Sequence, residues 1–243
     1  MNRDQSGRIC ARPVRRARYL VAVVTEHFWF KFLGTTAFTY SFFVAYIHLL
    51  KHPAFPVSII PETEVDRYIG INPLALPLYL SLWLYLSLPV MLMTTRRTII
   101  EYGLWIGALC LVGLTVFYFW PTAVIPSDID WSRYPGMDFL KGVDAAGNAC
   151  PSLHVATATF SCYWLNQQLR SHGLGDGLRA FNLLWCIGII YSTMATKQHV
   201  AIDVVAGVGL ALACMRICSL AMHLRKGNAG NLLWVGQGFV EPE

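Results

Sequence analysis

Long apolar runs alternate with short polar steps along the chain. A helix that crosses a bilayer needs roughly 20 mostly apolar residues. Six runs approach that length, at about 28–50, 74–93, 99–119, 152–169, 180–196 and 200–220. The fourth carries Ser, Thr, His and Asn, and only the polar step "TKQH" separates the fifth from the sixth. No internal repeat or low-complexity segment interrupts the pattern. Gly103 and Gly107 form a G-x-x-x-G on the third run, a spacing suited to helix packing. The pattern predicts an all-α integral membrane protein with six transmembrane helices in one domain over 1–243. A basic arm at about 1–20 precedes them and a polar tail at about 222–243 follows.

Composition supports this. Of 243 residues, 55% are hydrophobic and 14% are charged, whereas a soluble domain carries about 25% charged residues. The net charge of +5 is dispersed between apolar runs rather than gathered on one polar surface, so no nucleic-acid partner is expected. The seven cysteines include no C-x-x-C pair and lie mostly in apolar runs, which suggests neither a disulfide framework nor a zinc ribbon. Near the N-terminus, Glu26, His27 and Lys31 interrupt the apolar stretch and no small-x-small site follows, so an uncleaved basic arm is expected rather than a signal peptide.

Lysine and arginine positions set the expected orientation. With a cytoplasmic N-terminus, the inner segments hold thirteen basic residues and the outer segments five. Lys31 falls inside the first span and is not counted. Both termini are therefore expected in the cytoplasm, with longer outer loops at about 51–73 and 120–151. His154 then lies at the start of the fourth span, and His199 and Asp203 at the start of the sixth, all at one membrane depth near the outer face. The expected location is a multi-pass position in an inner or plasma membrane, with the site facing the periplasm or exterior.

Ionisable side chains at membrane depth are costly and point to function. His199 and Asp203 are four apart, so they share a helix face. A carboxylate there can fix the histidine tautomer and leave the other ring nitrogen free as nucleophile or base. In "NACPSLHVA" (148–156), Pro151 suits a first helical position, and the amides of Ser152, Leu153 and His154 would form an anion site. Taken alone, each constellation also fits an ordinary structural role: a capping histidine, or a common Pro-Ser helix start. Together they suit phosphoryl transfer, with one histidine attacking phosphorus and the other protonating the leaving oxygen.

These residues resemble those of the type 2 phosphatidic acid phosphatase superfamily. "PSLH" at 151–154 is similar to its P-S-G-H motif, and "STMATKQHVAID" at 192–203 is similar to its S-R-x5-H-x3-D motif. The spacing from Ser192 to His199 to Asp203 matches that pattern. The resemblance implies a six-helix core, His199 as a nucleophile that becomes phosphohistidine, Asp203 as its orienting group, His154 as general acid, and Ser152 as a phosphate ligand. It implies no metal and no cofactor. Leu153 replaces the usual glycine, and Thr193 stands where the superfamily has a phosphate-binding arginine. The first motif, K-x6-R-P, is not found before the 120–150 loop. Lys197, Lys141 and Arg133 are the outward-facing candidates to complete the phosphate site, and Lys197 equally fits a lysine snorkelling to the interface. P-S-L-H followed by Thr193 resembles the branch that contains inositol phosphorylceramide synthases.

The expected partners are the bilayer and a phosphorylated lipid such as phosphatidate, a polyprenyl diphosphate or a head-group donor. The sequence does not fix the oligomeric state. The acceptor is water in a phosphatase and a lipid or sugar hydroxyl in a head-group transferase. A proton or ion transporter built on His154, His199 and Asp203 ranks behind both, because the ionisable residues cluster at one face. A metal site on the same three residues and a catalytically dead relative rank lower still.

Overall fold

A computed structural model describes residues 11–125 and 147–235. Among them the helices are α1 (Ala11–Thr25), α2 (Phe28–Lys51), α3 (Glu64–Tyr68), α4 (Leu76–Leu80), α5 (Leu82–Leu92), α6 (Arg96–Phe119), α7 (Leu153–Ser171), α8 (Asp176–Ala195) and α9 (Ala201–Val235). Two short strands, β1 (Ser58–Ile60) and β2 (Thr122–Val124), pair in parallel, with Ile59 opposite Ala123. The chain is thus mostly helical, with a small ribbon that the apolar pattern did not reveal.

Local chemistry sets several helix boundaries. The Thr95 hydroxyl accepts a hydrogen bond from the Thr98 amide (3.2 Å) and caps α6. Thr63 and Asp66 form a reciprocal capping box at α3. His27, in the left-handed region at φ 55°, turns the chain between α1 and α2. The second apolar run, Pro73–Leu92, is divided at Ser81 into α4 and α5, and the Ser81 hydroxyl donates to the Leu78 carbonyl (2.6 Å). Part of the expected basic arm is helical as α1, and α9 continues as helix through the first part of the expected polar tail.

Among the described residues, five helical stretches are long and apolar enough to cross a membrane: Phe28–Lys51, Pro73–Leu92, Arg96–Phe119, Asp176–Ala195 and Ala201–Met222. They present large apolar side chains outward, including Trp29, Leu104, Leu184 and Val205. The fourth expected span, α7, is 19 residues long but too polar to belong with them. Its neighbours explain the polarity. It contacts α5, α6, α8 and α9 and lies at the centre of the bundle. Ser161 meets the Tyr102 hydroxyl (2.9 Å), Thr157 donates to the Leu153 carbonyl (2.7 Å), and Asn182 donates to the Cys162 carbonyl (3.0 Å). A helix enclosed by other helices can carry polar groups when protein rather than lipid satisfies them.

In lipid, helices associate through close packing and polar contacts rather than through the hydrophobic effect. The expected G-x-x-x-G makes no tight approach: a Cβ at Gly103 would meet nothing within 4 Å, and one at Gly107 would make an ordinary 3.5 Å contact with Phe38. The tight positions are Gly113 and Gly207. A Cβ at Gly113 would fall 2.4 Å from Leu153 Cδ2, and one at Gly207 would fall 2.5 Å from the Ser152 carbonyl oxygen. Both press on the start of α7.

Candidate active site

The start of α7 is built from three directions. The Ser152 amide donates to the Asp203 carbonyl (3.0 Å), which joins the first turns of α7 and α9. The chain entering α7 is strapped to β2: the Ala149 amide donates to the Thr122 carbonyl (3.2 Å) and the Cys150 amide to the Thr122 hydroxyl (2.8 Å). Ile60, Val124, Ala149, Cys150 and Val200 form a small apolar cluster over this end of the bundle. The helix opens two residues later than the sequence suggested. Ser152 is the N-cap, with its hydroxyl accepting from the Val155 amide (3.3 Å), and Pro151 lies before the helix. The Ser152 amide, expected to face an anion, is used by Asp203. Leu153 fills the notch at Gly113, so the bulk that replaces the family's glycine points into the bundle.

A sharp corner between α8 and α9 positions His199. The amides of Gln198 (3.0 Å) and His199 (3.2 Å) both donate to the Thr193 carbonyl, and Lys197 takes a left-handed φ of 52°. Asp203 accepts from the Val200 amide (3.1 Å) and so caps the helix on which it sits. Asp66 reaches the same corner from the first turn of α3, accepting from the Ala201 amide (2.8 Å) while its other oxygen serves Thr63.

These elements bring together residues 45 positions apart. His154 Nδ1 lies 3.3 Å from His199 Nε2. His199 Nδ1 lies 3.6 Å from Asp203 Oδ2, with both side chains almost fully enclosed. That separation is an ion-pair distance and exceeds a good hydrogen bond. His199 Nδ1 and Asp203 Oδ1 are buried without a hydrogen-bond partner in this arrangement. On the far side of His154, Nε2 lies 2.8 Å from the Tyr79 hydroxyl. The result is a line of four titratable side chains: Tyr79, His154, His199 and Asp203. Among the described residues, no group of three or more His, Cys, Asp or Glu is arranged to hold a metal ion.

The remaining candidates differ in placement. Ser152 and Thr193 are fully buried beside the histidines, and the Thr193 hydroxyl donates to the Ile190 carbonyl (2.7 Å). Here Thr193 builds the corner with its carbonyl. Lys197 Nζ turns to the loop and donates to the carbonyls of Asp66 and Ile69 (2.8 Å each). Arg133 and Lys141 lie outside the described residues. Cys150 is buried rather than open to reagents. Burial, and then the neighbouring Asp203 carboxylate, push its thiol up to about 11.

Sequence reasoning missed Tyr79, Asp66 and Gly207. Tyr79 gave no signal, since a tyrosine in an apolar run reads as packing. Asp66 reads as a solvated loop charge. Gly207 carried a usable signal: it follows Asp203 by four and therefore shares its helix face.

No curated protein and no solved structure matches the chain. A family model described as the PAP2 superfamily matches residues 74–217. That segment is more than half of the chain and contains Tyr79, His154, His199 and Asp203. The chain therefore belongs to the PAP2 superfamily, whose members are phosphatases and phosphotransferases.

Proposed function

We propose that the protein is a membrane-embedded phosphatase or phosphotransferase that acts on a phosphorylated lipid through a phosphohistidine at His199, with its site at the outer membrane face. The observation that carries this reading is the line His154–His199–Asp203, assembled from α7 and α9 at one end of an apolar bundle. In the proposed reaction, His199 Nε2 attacks phosphorus while the Asp203 carboxylate stabilises the charge that develops on the ring. His154 protonates the leaving oxygen and later removes a proton from water or an acceptor hydroxyl. Site residues for the phosphate are Ser152 and Leu153 at the α7 start, Thr193 at the corner, and Arg133 and Lys141 in the 126–146 segment. Lys197 contributes through the corner that it holds.

The 3.3 Å contact between the rings sets a condition. A near-attack distance of about 3–3.5 Å to phosphorus, the P–O bond beyond it, and a hydrogen bond of about 2.6–3.2 Å to the leaving oxygen require more than roughly 6 Å between the two nitrogens. Substrate must therefore part them by more than about 3 Å, by turning or shifting one ring or both. The outward face follows from the thirteen-to-five distribution of basic residues. The polar content of α7 supports six spans, with α7 the one enclosed by the others.

A second reading, a head-group transferase with a hydroxyl acceptor, is favoured by P-S-L-H and Thr193, which keep the likeness to the branch of inositol phosphorylceramide synthases. The test is rapid quench of purified protein with labelled lipid phosphates, with and without hydroxyl acceptors. We expect protein-bound label that is stable in base and labile in acid, and its loss in His199→Ala. Phosphate release without an acceptor marks a phosphatase. Label transfer only with an acceptor marks the transferase. Turnover by His199→Ala would overturn the nucleophile assignment.

A further inference from the structure

The chain's own geometry marks one nitrogen of His154 as the working one. Tyr79 sits on α4 and is almost fully enclosed, at 2% exposure. Its hydroxyl lies 2.8 Å from His154 Nε2, and its ring lies against the imidazole with centroids 5.1 Å apart. Trp83 closes another side of the imidazole at 6.2 Å. Nε2 thus faces a phenol oxygen, while Nδ1 faces His199 and the place where phosphorus must enter.

We infer that Tyr79 is the positioning residue for His154: its hydroxyl oxygen accepts the Nε2 proton, so that Nδ1 is the nitrogen that exchanges a proton with the substrate. The inference rests on the reading of His154 as general acid. In the first half-reaction His154 is an imidazolium, with Nε2–H donated to Tyr79 and Nδ1–H donated to the leaving oxygen. The bond from His199 Nε2 to phosphorus forms as the bond to the leaving oxygen breaks. That oxygen keeps the electron pair and takes the Nδ1 proton. His154 is left neutral, still protonated at Nε2, with the Nδ1 lone pair aimed at the incoming water or hydroxyl. In the second half-reaction the oxygen of that water or hydroxyl bonds to phosphorus as the bond from His199 Nε2 to phosphorus breaks, and Nδ1 takes the proton that the attacking oxygen loses. One proton moves in each half-reaction, and the Nε2 proton stays with Tyr79.

Tyr79 then plays for His154 the part that Asp203 plays for His199, with a neutral acceptor in place of a carboxylate.

The test compares Tyr79→Phe, His154→Ala and the double variant in the full-length protein. Each is assayed on an alkyl phosphate and on an activated aryl phosphate, whose leaving group needs little protonation. Tyr79→Phe keeps the ring packing and removes the acceptor. We expect its kcat on the alkyl phosphate to fall roughly ten- to a hundredfold, the size of one hydrogen bond to a charged group, with KM little changed. On the aryl phosphate the loss should shrink to within about twofold. Adding Tyr79→Phe to His154→Ala should cost nothing further, because the two act as a unit. Equal losses of Tyr79→Phe on both substrates, or full additivity with His154→Ala, would reduce Tyr79 to a packing residue and overturn the inference. If His154→Ala itself showed no leaving-group dependence, the general-acid reading would fall first, and that result is visible in the single variant alone.

Discussion

Two lysines, one near each end of the bundle, do the same job in opposite surroundings. Lys31 lies inside the first span, 5% exposed, and its ammonium donates to the carbonyls of Val23 (2.8 Å) and Met91 (3.0 Å). It joins α1 and α2 to the end of α5. Around it, Arg16 donates to the Gly173 carbonyl (2.7 Å), and His172 bridges the Tyr19 hydroxyl (2.8 Å) and the Leu92 carbonyl (2.7 Å). Lys197 sits at the corner beside His199 and ties the loop carrying Asp66 and Ile69 to that corner. Each cation donates to two backbone carbonyls. The difference lies in what the backbone does beside them. At the end that carries His154 and His199 the helices touch backbone to backbone, with Ser152 bonded to Asp203 and Gly207 pressed on the Ser152 carbonyl. At the other end, side chains make the long-range contacts described above. One end is fixed by contacts between backbones, and the other by side chains that reach across to backbone carbonyls.

Substitutions that separate position from cohesion test this contrast. The largest effect is expected from Gly207→Ala, whose new methyl would meet the Ser152 carbonyl at 2.5 Å, a backbone atom that cannot swing aside. The first turns of α7 and α9 must then part, and misplacing catalytic groups by about 1 Å costs on the order of a hundredfold in rate. Assay of kcat on a labelled lipid phosphate checks this, and a rate within threefold of wild type would remove backbone contact as the positioning device.

Lys197→Met comes next. We expect kcat to fall about tenfold as the corner loosens, with KM for the phosphorylated substrate unchanged. A rise in KM with kcat intact would instead make Lys197 a phosphate ligand. Lys31→Met should leave kcat per folded molecule unchanged and lower stability by about 1–3 kcal/mol, since two buried carbonyls lose their donor. Thermal unfolding in detergent measures it, and a lost kcat with an unchanged melting temperature would erase the distinction between the ends.

The smallest signal is expected at Cys150. Burial and then Asp203 push its thiol up to about 11. A raised value leaves the group protonated and unreactive at pH 7–8, with reactivity growing only as pH nears that value. A maleimide should label Cys150 in unfolded protein and leave it untouched in native membranes at pH 7.5. Fast native labelling would mean that the cap over the site is open.

Much of this architecture could be read from the chain, for definable reasons. Apolar length identified five of the six expected spans as long apolar helices, because lipid imposes it. The four-residue step from His199 to Asp203 pointed to a neighbouring pair, and the two do lie side by side, although His199 sits in the corner just before α9 rather than on the helix. The meeting of His154 with that pair followed from placing two helix starts at one depth. Tyr79, Asp66 and the partners of Lys197 stayed hidden because each contact closes a long sequence gap and obeys no period. Lys197 reads as a cation for phosphate until the carbonyls of Asp66 and Ile69 are seen beside it. Leu153 reads as a departure from a motif until the notch at Gly113 appears.

The parallel ribbon carries a consequence for biosynthesis. β1 cannot find its partner until β2 has left the ribosome, and α3, α4, α5 and α6 lie between them. The segment entering α7 bonds to β2, and the corner carrying His199 comes later still, resting on both α7 and the Asp66 loop. The chain is therefore inserted largely as inert helices, and its reactive centre comes into being only with the last of them. A nascent chain that ends before the corner between α8 and α9 would hold His154 and Tyr79 without His199 and Asp203. On the proposed mechanism, no shorter product of synthesis carries the complete site.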